Sequence, residues 1–307
     1  MIKAVDKIAA FVKHFLKGQR ETDLIKINQG IIISELHKNL QEVDLARYEF
    51  KVFSQWGEDG IIQFLTNNID IEYKTFIEFG VEDFYEANCR FLLMKDIWDG
   101  FVIDGSKKNI ERLKDSYFYW RYPIKAINAF INRENICDLL EQSGFSKKVG
   151  IFSVDIDGVD YYVLEAALTN WQPSIIIVEY NGIFGRTNCV SVPYDPNFQR
   201  KTAHYSNIYY GASLAAFCSM LNVRGYGLVG VNSMGSNAFF VRRDLLNDKV
   251  RETSVDAIFK STVFREGRDS SGKLSMISGA DRRGVINDMP VYDTLTGAII
   301  QVKELGD

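Results

Sequence analysis

Two short apolar runs, residues 150–154 (Gly-Ile-Phe-Ser-Val) and 174–178 (Ser-Ile-Ile-Ile-Val), are too short for helices and rich in β-branched side chains, so they read as buried strands. Between them, 161–170 has helical spacing, and Pro173 marks its end. Strand, helix and strand of these lengths make a βαβ unit, whose right-handed crossover lays the two strands parallel. The same alternation predicts strands upstream over 75–80, 100–104 and 122–128, with a helix entered at about Cys89. Repeated β-α-β order predicts an α/β fold with a doubly wound, mostly parallel sheet. Downstream, 227–231 and 237–241 read as a closing antiparallel pair, and 213–221 as a helix.

The flanks differ from this centre. Residues 1–45 are helical in pattern, with one apolar stripe of Ile8, Phe11, Val12, Phe15 and Leu16 and another of Ile25, Ile27, Ile31, Ile32, Ile33, Leu36 and Leu40. Such stripes outside the main core read as an oligomerisation element, which predicts a homo-oligomer formed through the N-terminal helices. The expected division is 1–50 as helical extension, 51–246 as the main domain and 247–307 as a mixed, charged C-terminal extension that wraps back or packs on a partner. Within the main domain, 182–212 is a long loop with Pro193 and Pro196, beside the strand ends where a lid or substrate-binding segment belongs.

Composition narrows the function classes. With 307 residues and 46% hydrophobic content the chain buries a large core, and a net charge of −4 gives no footprint for nucleic acid. Cys89, Cys137, Cys189 and Cys218 are widely spaced with no CxxC, which reads as free thiols in a reducing compartment and argues against structural zinc. No apolar run approaches membrane-spanning length, and the N-terminus lacks the apolar core of a signal peptide. The expectation is a cytoplasmic protein.

Chemistry gathers where the strands end. Asp155 and Asp157 follow the run at 150–154, and Glu179 and Asn181 follow the run at 174–178, so parallel pairing brings them to the carboxyl edge where open α/β sheets bind ligands. Three acids at one edge would repel one another without a cation. Upstream, Glu78-Phe79-Gly80 ends one strand, and Asp104 ends the next about two dozen residues on, a spacing at which a carboxylate meets ribose hydroxyls. A phosphate-cradling loop after Gly80 is disfavoured by Glu82, Asp83 and Glu86. Ser54-Gln55-Trp56-Gly57-Glu58-Asp59-Gly60 reads as a helix N-terminus with acids favoured by its dipole, or as a pocket wall. Asp160 before Tyr161 reads as a cap.

Taken together, Ser54 to Gly60, Phe76-Ile77-Glu78-Phe79-Gly80, Val102-Ile103-Asp104, Val154-Asp155-Ile156-Asp157-Gly158 and Val178-Glu179-Tyr180-Asn181 resemble FkbM-type S-adenosylmethionine-dependent methyltransferases over roughly residues 50–245. The resemblance implies a Rossmann-like class I methyltransferase fold and methylation of a hydroxyl, often on a sugar. It puts the methionine part of S-adenosylmethionine near Glu78 and Gly80 and the ribose on Asp104, with Gln55, Glu58, Asn88, Ser106 and Asp155 nearby. The sequence departs from the pattern at Val81-Glu82-Asp83, where many members have a glycine-rich turn. The later acids resemble the metal site of TylF-type sugar O-methyltransferases, which implies Asp155, Glu179 and Asn181 as ligands of Mn²⁺ or Mg²⁺.

A hydroxyl is a poor nucleophile at neutral pH, and a divalent ion with hard oxygen ligands lowers its pKa and orients it. Asp157, with His204 on the following loop as second choice, is the expected proton acceptor. The predicted function is therefore metal-dependent O-methylation of a sugar or sugar nucleotide, as in capsule polysaccharide biosynthesis. Two alternatives stand beside it: an NAD-dependent oxidoreductase, disfavoured by the lack of GxGxxG after the first strand, and a non-catalytic methyltransferase-like assembly subunit.

Overall fold

A computed structural model describes residues 2–263, 265–279 and 281–306, with side chains from residue 18 onward. The central sheet is built from β1 (Thr75–Phe79), β2 (Asp99–Asp104), β3 (Ile124–Asn128), β4 (Ile151–Val154) and β5 (Ile175–Glu179). After a two-residue strand, β6 (Val190–Ser191), it is completed by β7 (Tyr226–Val231) and β8 (Asn237–Arg242). Its order is β3-β2-β1-β4-β5-β8-β7, with β1 to β5 parallel and β8 antiparallel to both neighbours. The strands expected from the apolar runs are all present, within two residues of their expected ends. Chain order reverses between β1 and β4, which places a switch point at the carboxyl ends of those two strands.

Helices cover both faces and divide the core into two apolar clusters. The main ones are α1 (Ile2–His37), α2 (Glu58–Asn68), α3 (Lys107–Asp115), α4 (Ile136–Glu141) and α5 (Asp160–Ala167), followed by one turn, α6 (Arg200–Ala203), and by α7 (Leu214–Asn222). The crossover helix α5 ends at Ala167, three residues before its expected limit, with three residues of turn leading to Trp171 and Pro173.

The N-terminal residues form one helix, α1, and the first predicted stripe, Ile8 to Leu16, lies outside the described side chains. Of the second stripe, Ile27 is buried and Ile31 and Ile33 are half-buried, whereas Ile25, Ile32, Leu36 and Leu40 stay exposed. The buried face is instead partly polar: Asp23, Ile27, Gly30 and Ser34 recur at helical spacing. Gly30 permits this approach, because a Cβ there would lie 2.6 Å from Val52 and 2.7 Å from Phe91. The C-terminal segment does wrap back: β9 (Pro290–Asp293) pairs with β6 and with β10 (Ile299–Gln301), closing a third apolar cluster over the loop after β5. Among the described residues, no helix is long and apolar enough to cross a membrane.

Candidate active site

A cleft of about 470 Å³ opens at the carboxyl ends of β1, β2, β4 and β5. Its floor begins with Glu78-Phe79-Gly80. Gly80 has φ +73°, and a Cβ on it would sit 1.6 Å from the Asp155 carbonyl oxygen, so β1 and the turn after β4 can touch only through a glycine. The Glu78 carboxylate accepts the amides of Asn88 (2.8 Å) and Cys89 (3.1 Å), and burial raises its pKa to about 7. Asn88 in turn donates to Ser153 on β4 at 3.1 Å. These bonds hold the segment from Val81 to Asn88 as one wall of the cleft.

Asp104, 7% exposed at the end of β2, accepts from the amides of Ser106 (2.7 Å) and Glu82 (2.8 Å). With Asn109 Nδ2 at 3.4 Å, three of about four acceptor positions of the carboxylate are taken. A ribose hydroxyl can use what is left. Beyond β3, the ring of Phe130 is 46% exposed and lines the same cleft, offering a flat apolar face.

On the other side stand Asp155, Asp157 and Glu179, each offering a carboxylate oxygen within 4.8 Å of the others'. Burial, then mutual repulsion, pushes the pKa values of Asp155 and Glu179 well above the carboxylate range. Asp157 has φ +57°, a conformation aspartate tolerates better than most residues. The turn is pinned by Asp160, whose carboxylate accepts the amides of Ile156 (2.7 Å) and Gly158 (2.9 Å). Asp160 thus secures the turn before the helix it opens.

Part of the charge balance at these acids is supplied by the chain. Arg200 pairs with Asp157 and with Glu266, donates through Nε to the Asn207 carbonyl at 2.6 Å, and lies 3.8 Å from the centre of the Tyr210 ring. No local pattern links Arg200 or Glu266 to Asp157 in the sequence; only the path of the loop after β5 and of the C-terminal segment joins them. Phe130 and Asn237 also line the cleft with no local signal in the sequence, and Glu82, which marks the loop after Gly80 as unsuited to phosphate, lines it too.

Of the expected site residues, Gln55, Glu78, Gly80, Asn88, Asp104, Asp155, Asp157 and Glu179 meet at the cleft. Four do not. Glu58 is fully buried, accepting the amides of Trp56 (2.9 Å) and Gly57 (3.0 Å) and the side-chain amides of Asn232 (2.7 Å) and Asn237 (2.9 Å). It ties the start of α2 to the β7–β8 hairpin. Ser106 caps α3 through the Asn109 amide. Asn181 spends its Nδ2 on the carbonyls of Ile208 and Tyr210, both at 3.0 Å, and its Oδ1 on the Ile183 amide, so it organises the loop rather than facing a metal. His204 contacts Ser206 at 2.7 Å and packs on Tyr205, outside the lining of the cleft.

The strand order with its antiparallel β8 decides the architecture. The fold is that of the Rossmann-like class I methyltransferases. No family model matches the chain, and no curated protein matches its sequence. Solved structures with a similar chain path include a putative O-methyltransferase from Klebsiella pneumoniae, at 10% identity over 70% of this chain and 87% of that one, TM-score 0.39. The N-terminal domain of EvdMO1 with SAH bound is 11% identical over 67% and 82%, TM-score 0.39. A methyltransferase from Geobacter sulfurreducens in complex with S-adenosyl-L-homocysteine is 12% identical over 66% and 72%, TM-score 0.33. At such distances the assignment of the fold rests on the strand order.

Proposed function

We propose that this protein is an S-adenosylmethionine-dependent O-methyltransferase that acts on a sugar hydroxyl with a divalent metal ion. The observation that carries the reading is the convergence, in one cleft at the switch point, of Glu78-Phe79-Gly80, Asp104 and the trio Asp155, Asp157 and Glu179. Gly80 lets β1 meet the turn after β4 and so shapes the end of the cleft that takes the methionine part of the cofactor, Asp104 accepts from the ribose, and Phe130 offers its face to the adenine. Bound S-adenosylmethionine supplies the electrophilic methyl group.

The residues fit a hard cation as well: carboxylate oxygens suit Mn²⁺ or Mg²⁺, and Asp155 and Glu179 are its proposed ligands. Such an ion would lower the pKa of the acceptor hydroxyl. Asp157, whose side chain is 54% exposed, takes the proton and can pass it to water, while Arg200 holds its carboxylate in place. The exposed face of α1 carrying Ile25, Ile32 and Leu36 is proposed as a surface for self-association.

Titrating the purified protein with S-adenosylhomocysteine, with and without Mn²⁺, tests the reading at its base. Binding, followed by methyl transfer to members of a sugar panel, is expected. Binding of NAD with no binding of S-adenosylhomocysteine would replace it with the oxidoreductase reading.

A further inference from the structure

The ionisable lining of the cleft, among the described residues, consists of eight carboxyl groups and a single guanidinium, that of Arg200. Arg200 is already committed to Asp157, Glu266, the Asn207 carbonyl and the Tyr210 ring. A phosphate entering here would meet carboxyl groups and, among the described lining residues, no uncommitted cation, and like charges brought together in a half-buried cleft repel strongly. A divalent ion and the singly positive cofactor would still leave the carboxyl groups in excess.

An independent observation points the same way. Asn237, at the start of β8, lines the cleft and is 6% exposed. Its Nδ2 donates to Glu58 at 2.9 Å, which fixes the amide orientation and leaves Oδ1 buried without a hydrogen-bond partner. A buried carbonyl left unpaired destabilises the fold, and a ligand that brings a donor hydrogen relieves it. Asn237 is directly opposite Glu179 in the β5–β8 pairing, and opposed residues of an antiparallel pair project from the same face. β8 lies three strands from β1, about 14 Å at the usual strand spacing, well away from Gly80.

Building on the methyltransferase reading, we propose that the acceptor bears an ammonium group, as an amino sugar does, and that this group is held between the Asn237 amide oxygen and the second oxygen of the Glu179 carboxylate, the first being given to the metal ion. The ammonium carries several donor hydrogens, so it serves both acceptors at once, where a neutral hydroxyl can donate to only one. Phosphorylated sugars, nucleotide sugars among them, are turned away by the same carboxylates.

The test is a calorimetric comparison of glucosamine, glucose and glucose 6-phosphate on protein saturated with S-adenosylhomocysteine. Glucosamine is expected to bind about tenfold or more tighter than glucose, the effect of one charge-assisted hydrogen bond, and glucose 6-phosphate weakest. Asn237→Leu is expected to remove most of this preference while S-adenosylhomocysteine binds as before. Equal binding of glucosamine and glucose by the wild type, no binding of either, or tighter binding of the phosphate overturns the proposal without recourse to any variant. If S-adenosylhomocysteine itself does not bind, the methyltransferase reading falls, and the ranking of the three sugars on the unloaded protein still decides the charge preference.

Discussion

The Arg90 guanidinium donates to the Asp23 carboxylate at 2.6 Å, with side chains 2% and 8% exposed, inside a cage formed by the rings of Phe53, Tyr85 and Phe118. Tyr117 donates to the same Asp23 oxygen at 2.6 Å, and Arg90 reaches the Tyr85 carbonyl at 2.8 Å. Since Arg90 follows the segment that walls the cleft, this pair joins α1 to that wall. Removing one partner strands a buried charge. Asp23→Ala is expected to cost about 3–5 kcal/mol in denaturant unfolding, and Asp23→Leu combined with Arg90→Met much less. Equal losses in the two proteins would show that the ion pair is not what matters there.

Gly80 meets the Asp155 carbonyl where no Cβ fits. Gly80→Ala should therefore displace the turn after β4 and abolish S-adenosylhomocysteine binding, measured by calorimetry on protein whose circular dichroism confirms folding. Near-normal affinity in a folded variant would detach this glycine from the cofactor site.

Buried acids make stability depend on pH. Burial raises Asp59 and Asp160 to about 6 and Glu78 to about 7. Because the folded values exceed the unfolded ones, the folded state binds more protons between about pH 4 and pH 7, and stability falls as pH rises through that window. A melting temperature higher at pH 5.5 than at pH 8 is expected. Glu78→Gln, which keeps an acceptor for the Asn88 or Cys89 amide but removes the charge, should flatten the slope between about pH 4.5 and 7, where Glu78 titrates. An unchanged slope in that variant would assign the dependence to other groups.

Chelation separates the metal from the arginine. If Asp155 and Glu179 hold a divalent ion during methyl transfer, excess chelator should stop turnover, and Mn²⁺ or Mg²⁺ should restore it. Full activity in chelator would mean that Arg200 alone balances the trio. Asp157→Asn is expected to lower kcat by about 10²–10⁴ with S-adenosylhomocysteine affinity near wild type. A near-normal rate would remove Asp157 as the proton acceptor.

The exposed face of α1 is checked by sedimentation: Ile32→Glu should shift an oligomer toward monomer without changing the melting temperature of the dilute protein. A single sedimenting species of the same mass before and after the change would leave that face without a partner copy.

Much of this molecule is legible in one dimension. Strands β1, β2, β4 and β5 declare themselves because a strand covered on both faces must be largely apolar, and acids placed at the ends of such runs can only fall at a sheet edge. That logic alone brings Glu78, Asp104, Asp155, Asp157 and Glu179 to one edge of the sheet. What the tertiary structure decided is which polar groups are spent on the fold and which are left facing the cleft. Glu58, Ser106 and Asn181 belong to the same polar classes as the residues that line it, yet their hydrogen bonds close helix ends and loops, a choice that depends on which unpaired backbone groups come within about 3 Å. Likewise Arg200, Glu266 and Asn237 reach the acids only because the loop after β5, the C-terminal segment and an antiparallel strand converge there. Sequence periodicity records which face of an element is buried; it holds no record of which distant side chain supplies the opposite charge.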